Sequence, residues 1–290
     1  MKTQPSWLNK QLFPFESKWL TIDGHSMHYI DEGSGDTMLF VHGTPEWSFG
    51  FRDLVKGLKG RYRCVAIDLL GFGLSDKPAQ ANYSIEAHSA RLSSFVEMLA
   101  LKNITLVAND FGGGISLGYA IRHTTNIRAV VLFNTWMWSL KNDPHFSAPA
   151  RVIATWFGRF LYKRMNAPVN MIMPSAFGDR KKLTREVHRH YKFVVPDVNS
   201  RVALYAIALE LMGASDWWQQ QWEKISVLEG KPFLIFWGMK DKFVPPTVLK
   251  KWTDRLPQAR VVEYADAGHF VQEEKADEMI REITAFLGEK

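Results

Sequence analysis

Short apolar segments alternate with helical patterns along most of the chain, and few folds accommodate such an order. The apolar segments are rich in β-branched and aromatic residues, and several end at Gly, Asn or Asp, which is typical of buried strands. We predict strands at residues 18–22, 28–30, 37–41, 63–69, 104–108, 128–133, 233–237 and 261–264. Strand, helix and strand repeated in this way predict an α/β fold with a mostly parallel sheet and helices on both faces.

The stretch from residue 135 to residue 222 interrupts this alternation. It contains helical patterns and five prolines but no strand pattern. Open α/β sheets bind ligands at the carboxyl ends of their strands, and an all-helical insertion between two strands covers that edge naturally. We therefore predict a core made of residues 1–134 and 223–290 and a helical cap (lid) made of residues 135–222.

The segment Ala108-Asn109-Asp110-Phe111-Gly112 lies between a predicted strand and a predicted helix. It has the small-x-nucleophile-x-small form of a nucleophile elbow, with Asp at the position where Ser is usual. The flanking residues are small because the sharp turn strains the central residue and leaves no room for bulk beside it. With a reference pKa near ~3.9, an aspartate is ionised at neutral pH without the help of a base. Asp110 is thus a candidate nucleophile; taken alone, it is equally compatible with an N-cap of the following helix.

Two further residues occupy loops that follow the last two predicted strands. His269 comes directly after Gly268, and Asp241 ends the segment Trp237-Gly238-Met239-Lys240-Asp241. A loop histidine late in the chain is suited to act as a base, while a carboxylate fixes its tautomer and stabilises the imidazolium. The order nucleophile, acid, base is that of elbow enzymes. We therefore predict a catalytic triad of Asp110, Asp241 and His269.

Five segments lie outside residues 135–222: HGTPEWSF at 42–49, DLLGFGLSDKP at 68–78, NDFGG at 109–113, GMKD at 238–241 and GHFVQE at 268–273. Taken together, these segments resemble the haloalkane dehalogenases. These enzymes are α/β-hydrolases of the aspartate-nucleophile branch, which also contains the epoxide hydrolases. The resemblance implies an α/β-hydrolase fold with a mostly parallel eight-stranded sheet, helices on both faces and an inserted helical cap.

The resemblance also implies a two-step hydrolysis. Asp110 displaces a leaving group from carbon and forms an alkyl ester, and water activated by His269 then attacks the ester carbonyl. The backbone N–H groups of Thr44 and Phe111 are expected to form the oxyanion hole. Dehalogenases place the triad acid after the sixth strand as Glu or after the seventh as Asp. With Asn134 at the first place and Asp241 at the second, this chain is similar to the second arrangement.

The chain departs from the dehalogenase pattern where the leaving halide is held. Dehalogenases use two N–H donors, usually a Trp after the nucleophile and either an Asn in the His-Gly loop or a Trp of the lid. Here Phe111 and Thr44 occupy the first two places, and of these only Thr44 has a side-chain donor. Trp136, Trp138 and Trp156 are our candidates for the leaving-group and substrate pocket.

Two alternative functions remain open from the sequence. An epoxide hydrolase shares the triad but needs a proton donor for the alkoxide, usually two lid tyrosines, and Tyr162, Tyr191 and Tyr205 are available. A non-catalytic ligand receptor on the same fold would have no need of an intact triad. The dehalogenase-type hydrolase is the reading that the matching segments favour.

Composition and charge restrict the partners. The net charge of +6 and the basic run Arg180-Lys181-Lys182 are compatible with a solvated helix face, and no nucleic-acid-binding motif surrounds that run. No apolar run approaches the ~20 residues of a membrane span, and the first residues hold no apolar stretch of signal-peptide length. We expect a cytoplasmic enzyme that acts on a small apolar organic substrate and water, with no nucleic-acid or membrane partner. We expect no cofactor and no metal, because no ligand cluster or phosphate loop is present.

Overall fold

A single sheet of eight strands organises the chain in the computed structural model, which describes residues 2–288. The strands are β1 Lys18–Ile22, β2 His25–Glu32, β3 Thr37–Val41, β4 Arg63–Ile67, β5 Ile104–Asn109, β6 Ile127–Phe133, β7 Phe233–Gly238 and β8 Arg260–Tyr264. Their spatial order is β1-β2-β4-β3-β5-β6-β7-β8. The β1–β2 and β2–β4 pairs are antiparallel and all other pairs are parallel. This confirms the predicted fold class.

Helices cover both faces of the sheet. Every residue of β3, β5 and β7 is buried, and successive side chains of a strand point to opposite faces, so neither face of these strands meets solvent. Helix α1 packs against α12, and α2 packs against α3. The helices are α1 Arg52–Leu58, α2 Ile85–Met98, α3 Asp110–Arg122, α4 Pro144–Ile153, α5 Trp156–Lys163, α6 Met173–Ala176, α7 Arg185–Phe193, α8 Val202–Gly213, α9 Ser215–Glu223, α10 Pro246–Arg255, α11 Val271–Glu274 and α12 Ala276–Leu287.

The chain between β6 and β7 is helical throughout its regular structure. It contributes α4 to α9, the 3-10 turns Arg180–Lys182 and Ile225–Leu228, and a π-helical turn at Pro168–Ile172. A Cβ added to Gly114 of α3 would lie only 1.9 Å from the indole of Trp218 in α9, so that glycine allows α9 to pack directly on α3. The helices after β6 are thereby fixed above the helix that begins at Asp110. The division of the chain at residues 134/135 and 222/223 stays a prediction.

The parallel strands bring the predicted site residues to one edge of the sheet. β3, β5, β6 and β7 run in the same direction, so the segments that follow their carboxyl ends lie side by side. Those segments begin at His42, Asp110, Asn134 and Met239. Within residues 2–288, none of the helices combines the length and the apolar character needed to cross a bilayer.

Candidate active site

Asp110 lies at the junction of β5 and α3 in a left-handed backbone conformation, with φ of +49°. Such a conformation costs a non-glycine residue of order 1 kcal/mol and persists only when the surroundings hold it. The hydroxyl of Thr135 donates to the Asp110 carbonyl oxygen at 2.6 Å. A Cβ on Gly43 would lie 2.2 Å from Oδ1 of Asp110, and one on Gly112 would lie 2.2 Å from the carbonyl oxygen of Val41. The close approach of three chain segments therefore requires the glycines beside the elbow.

The imidazole of His269 connects the two predicted triad carboxylates. Its Nδ1 lies 2.7 Å from Oδ2 of Asp241, and its Nε2 lies 3.5 Å from Oδ2 of Asp110. All three residues are buried, with 3–7% of their surface exposed. The structure thus brings together the three residues that the sequence predicted as a triad.

Asp241 is held by bonds to both of its carboxylate oxygens. Oδ1 accepts the N–H groups of Phe243 and Val244 at 2.7 and 3.0 Å. Oδ2 accepts the side-chain amide of Asn134 at 2.7 Å in addition to its contact with His269. Asn134 occupies the alternative acid position and here orients the acid from the neighbouring strand.

The charge on His269 depends on both carboxylates. Burial alone would lower the pKa of its imidazolium, but the charges and hydrogen bonds of Asp241 and Asp110 outweigh burial and raise the pKa well above its ordinary value. Loss of the Asp110 charge would remove part of this stabilisation. An ester on Asp110 would therefore favour release of the imidazole proton, which is what a base in a second step requires.

The backbone of Thr44 contacts the candidate nucleophile directly. Its N–H donates to Oδ1 of Asp110 at 2.8 Å. In an ester of Asp110 the attacked carbonyl carbon is the Cγ of Asp110 itself, so this N–H is placed where the oxyanion would develop. Phe111 follows Asp110 in the first turn of α3. That its N–H contributes to an oxyanion hole stays a prediction.

A buried carboxylic acid that the sequence analysis missed bridges the two sides of the site. The amide nitrogens of Asn109 and Gln272 donate to Oε2 and Oε1 of Glu46. Asn109 directly precedes Asp110, and Gln272 follows His269 by three positions. Burial raises the pKa of Glu46 to about 8, and the neighbouring amide and His269 only partly oppose this effect.

A second buried network lies next to Glu46. Both Nη atoms of Arg52 donate to the carboxylate of Glu273 at 2.6 Å, and the hydroxyl of Tyr191 donates to the same carboxylate. Because Tyr191 is engaged in this way, it is not a free donor toward Asp110. The only available signal for these networks in the sequence was the position of Glu46 and of Gln272-Glu273 inside the matching segments.

The three predicted pocket tryptophans have different environments. The Trp136 ring packs against Phe111 with centroids 5.0 Å apart and an interplanar angle of 73°. Its indole nitrogen is buried and has no hydrogen-bond partner among the residues described. Trp138 packs instead against Trp222 and Trp252.

The expectation for Trp156 does not agree with the structure. Its side chain is 80% exposed on the surface of α5, so it cannot exclude water from a leaving group. The sequence could not distinguish it from Trp136, because the side of α5 that faces solvent depends on how that helix packs after folding.

Of the two remaining tyrosines, Tyr162 is within range of the Asp110 charge. Burial raises the pKa of its hydroxyl, and the charge of Asp110 raises it further. Its ring contacts that of Tyr205 from α8 with centroids 5.9 Å apart. Across residues 2–288, no group of three or more His, Cys, Asp or Glu side chains is arranged to hold a metal ion.

A carboxylate in an elbow, a histidine beside it and a second carboxylate behind the histidine define a hydrolase of the α/β type. Residues 36–276 match the family model described as alpha/beta hydrolase fold. Haloalkane dehalogenase 2 of Mycobacterium tuberculosis is 34% identical over 280 residues, which cover 96% of this chain and 97% of that protein. The chain belongs to the α/β-hydrolase family and, within it, is a haloalkane dehalogenase-like hydrolase.

The chain is also similar to a protein of a different activity and to a dehalogenase of known structure. A cis-3-alkyl-4-alkyloxetan-2-one decarboxylase of Shewanella oneidensis is 32% identical over 287 residues, covering 96% of this chain and 90% of that one. The crystal structure of a haloalkane dehalogenase from Agrobacterium tumefaciens superimposes with a TM-score of 0.84 at 25% identity, covering 94% of this chain and 96% of that chain.

The raised pKa of Glu46 predicts a pH-dependent contribution to stability. Between its ordinary value of 4.5 and about 8, the folded chain keeps a proton that the unfolded chain releases. As the pH rises from 5 to 7, the free energy of unfolding of the wild type should therefore fall by roughly 1 kcal/mol per pH unit relative to that of Glu46→Gln. Urea unfolding of both proteins across this range measures the difference. Parallel curves would contradict the assignment.

Proposed function

We propose that this chain hydrolyses carbon–halogen bonds in small apolar molecules through an alkyl ester on Asp110. The observation that carries the proposal is the hydrogen bond that the N–H of Thr44 donates to Oδ1 of Asp110. In an enzyme with a serine nucleophile, the oxyanion forms on the substrate. Here the donor acts on the nucleophile's own carboxylate, which is where an oxyanion forms when an ester of Asp110 is hydrolysed.

In the first step, one oxygen of Asp110 attacks the carbon that carries the halogen. A carbon–oxygen bond forms as the carbon–halogen bond breaks, and the halide leaves with the bonding pair. The product is a neutral ester. Its formation removes the Asp110 charge that helps to raise the pKa of His269, so the imidazole becomes free to accept a proton.

In the second step, His269 takes a proton from water, and the water oxygen attacks Cγ of Asp110. The tetrahedral oxyanion accepts the N–H of Thr44, while Asp241 stabilises the imidazolium of His269. Collapse breaks the bond between Cγ and the ester oxygen that carries the alkyl group, and this oxygen takes a proton from His269 and leaves as the alcohol. The acid that remains on Asp110 ionises, so one haloalkane and one water yield an alcohol, a halide and a proton.

The leaving halide needs donors, and two unsatisfied groups near Asp110 are candidates. The indole nitrogen of Trp136 and the hydroxyl of Thr44 are buried and have no hydrogen-bond partner within residues 2–288. An unsatisfied buried polar group costs about 1–3 kcal/mol, so such groups often mark a place that a ligand completes. We assign the halide to these two groups, which stand in for the donors that Phe111 cannot supply.

The helices of residues 135–222 act as the cap in this proposal. Trp136 and Trp218 both pack against Phe111 and enclose the space above the elbow with apolar rings. An apolar site that excludes water has a lower dielectric constant, which strengthens the interaction of hydrogen-bond donors with a developing anion. It also favours small apolar substrates over polar ones.

A second candidate activity is decarboxylation of a β-lactone. It is favoured by Phe111, which removes one halide donor, together with the similarity to the Shewanella oxetan-2-one decarboxylase. Attack of Asp110 on the alkyl carbon of a four-membered lactone leaves the departing carboxylate tethered to the substrate, so no separate halide site is needed. Loss of carbon dioxide with expulsion of Asp110 then gives an alkene and restores the free carboxylate.

The chemical class of the substrate can be read from the ester itself. In His269→Ala the ester on Asp110 should form but not hydrolyse, so it accumulates. We expect haloalkanes to raise the intact mass by the alkyl group without the halogen, and Asp110→Asn/His269→Ala to remain unlabelled. Epoxides and β-lactones, tested in parallel, would add the mass of the whole molecule.

Each outcome of this experiment has a distinct meaning. Labelling by epoxides alone would replace the dehalogenase proposal with an epoxide hydrolase that uses Tyr162 as acid. Release of alkene and carbon dioxide from β-lactones by the wild type, with no haloalkane adduct in the variant, would favour the decarboxylase. If no compound labels the His269→Ala variant and the wild type converts none of them, the protein would instead be a ligand receptor.

The assignment of the halide donor predicts a specific loss in Trp136→Phe. A hydrogen bond to a charged group is worth about 1.5–3 kcal/mol, so kcat/KM for a haloalkane should fall roughly 10- to 100-fold. Trp138→Phe is the matched control, because its ring packs in a separate cluster with Trp222 and Trp252. Equal losses in both variants, with unchanged thermal stability, would contradict the role of Trp136.

A further inference from the structure

The outer face of α5 presents aromatic and basic side chains to solvent. Trp156 is 80% exposed, and Phe157 and Phe160 are 46% and 45% exposed. Trp156 and Phe160 line an open surface groove together with three basic residues. We call the following set the α5 patch: Trp156, Phe157, Arg159, Phe160, Lys163 and Arg164.

Neighbouring turns extend this apolar surface. Val152, Met165 and Met171 are each at least half exposed. Of the nine large apolar residues most exposed in the described chain, six lie between residues 152 and 171. Scattered single exposures are normal on a protein surface, whereas a concentration of this kind indicates an interaction site.

The exposure belongs to an ordered helix and not to a frayed end. The hydroxyl of Thr155 caps the N-terminus of α5 by accepting the N–H of Gly158. Arg201 donates to the carbonyl oxygens of Lys163 and Arg164 at 3.0 and 3.3 Å and so fixes the C-terminus. On the inner face the Tyr162 ring contacts Tyr205 of α8, while the aromatic rings of the outer face remain exposed to solvent.

The segment of the chain that carries the α5 patch has charges of one sign only. The chain contains 30 Asp and Glu residues, yet none occurs between residues 144 and 178. The same stretch contains Arg151, Arg159, Lys163 and Arg164. Within residues 2–288, the three basic side chains of the α5 patch form no ion pair.

We propose that the α5 patch docks the protein on an anionic lipid bilayer. Exposed Trp and Phe side chains insert at the boundary between headgroups and acyl chains, and Arg and Lys side chains meet the anionic headgroups. The long stems of Arg159, Lys163 and Arg164 lie along apolar surface while their charges reach the headgroups. This combination on a helix that lies flat on the protein surface is the pattern of an interfacial segment.

A second copy of the chain fits this surface less well. A symmetric dimer through the α5 patch would place the same patch on both sides of the interface. Three cations would then face three cations, with no acidic residue between 144 and 178 to neutralise them. Like charges at an interface oppose association, whereas anionic lipids neutralise the same charges.

Docking would bring the candidate active site close to the membrane. The inner face of α5 carries Tyr162, whose hydroxyl is buried and interacts with the charge of Asp110. One helix therefore separates the surface of the patch from the elbow. Apolar molecules concentrate in bilayers, so docking at α5 would place the protein where such molecules are abundant. The docking itself does not depend on which reaction Asp110 performs.

Cosedimentation with vesicles tests the proposal. We expect the wild type to bind vesicles of equal parts phosphatidylcholine and phosphatidylglycerol but not vesicles of phosphatidylcholine alone. Trp156→Ser/Phe160→Ser and Arg159→Glu/Lys163→Glu/Arg164→Glu should each weaken the partition coefficient at least about 10-fold, since both apolar burial and charge contribute. Indole fluorescence of the wild type should shift to shorter wavelength on binding, and Trp156→Phe should lose most of that shift.

Two controls separate the patch from general basicity and general stickiness. Arg180→Glu/Lys181→Glu/Lys182→Glu makes the same charge change in an exposed turn outside the patch, and Met98→Ser removes another exposed apolar side chain. Both should bind vesicles as the wild type does. None of these residues contacts the triad, so turnover of a water-soluble substrate should be unchanged in all variants.

Three results would overturn the proposal. The first is absence of binding to the anionic vesicles at low salt. The second is a loss of binding in the Arg180–Lys182 control as large as in the patch variants, which would indicate non-specific charge attraction. The third is a wild type that does not bind vesicles and is dimeric by light scattering, while Trp156→Ser/Phe160→Ser is monomeric. That result would make the patch an interface between copies of the chain.

Discussion

The backbone turn at Asp110 is the constraint on which the rest of the site depends. Its left-handed conformation at the end of β5 presents the carboxylate to the space above the sheet. Gly43 and Gly112 allow the segments after β3 and β5 to approach closely, and Thr135 from the segment after β6 fixes the Asp110 carbonyl. Because three neighbouring strands end here, one turn places the candidate nucleophile, its N–H donor and the segment of Asn134 together.

Buried charge is distributed around this turn in a way that suits a two-step reaction. Two carboxylates share His269 and raise the pKa of its imidazolium, and an ester on Asp110 would remove part of that effect. Glu46, held by Asn109 and Gln272, lies behind the same two residues, with a pKa of about 8. A neutral Glu46 adds no third negative charge beside Asp110 and Asp241.

The sequence predicted those parts of the site that depend on local patterns. The fold, Asp110, His269 and Asp241 follow from strand ends, small flanking residues and chain order, and the structure brings the three side chains together. Glu46 could not be singled out, and Trp136 could be named only as one of three candidate tryptophans, because their surroundings depend on which distant residues they meet after folding. Trp156 was predicted to line the pocket, but its side of α5 faces solvent.

The central claim is that Asp110 itself forms the covalent ester and that water attacks its Cγ. Turnover of a haloalkane in water labelled with heavy oxygen tests this claim most directly, followed by digestion and mass measurement of the peptide that contains Asp110. The account predicts that the label enters the Asp110 carboxylate and that the alcohol of the first turnover carries unlabelled oxygen from Asp110. An unlabelled Asp110 together with a labelled alcohol from the first turnover would show that water attacks the substrate directly and would contradict the account.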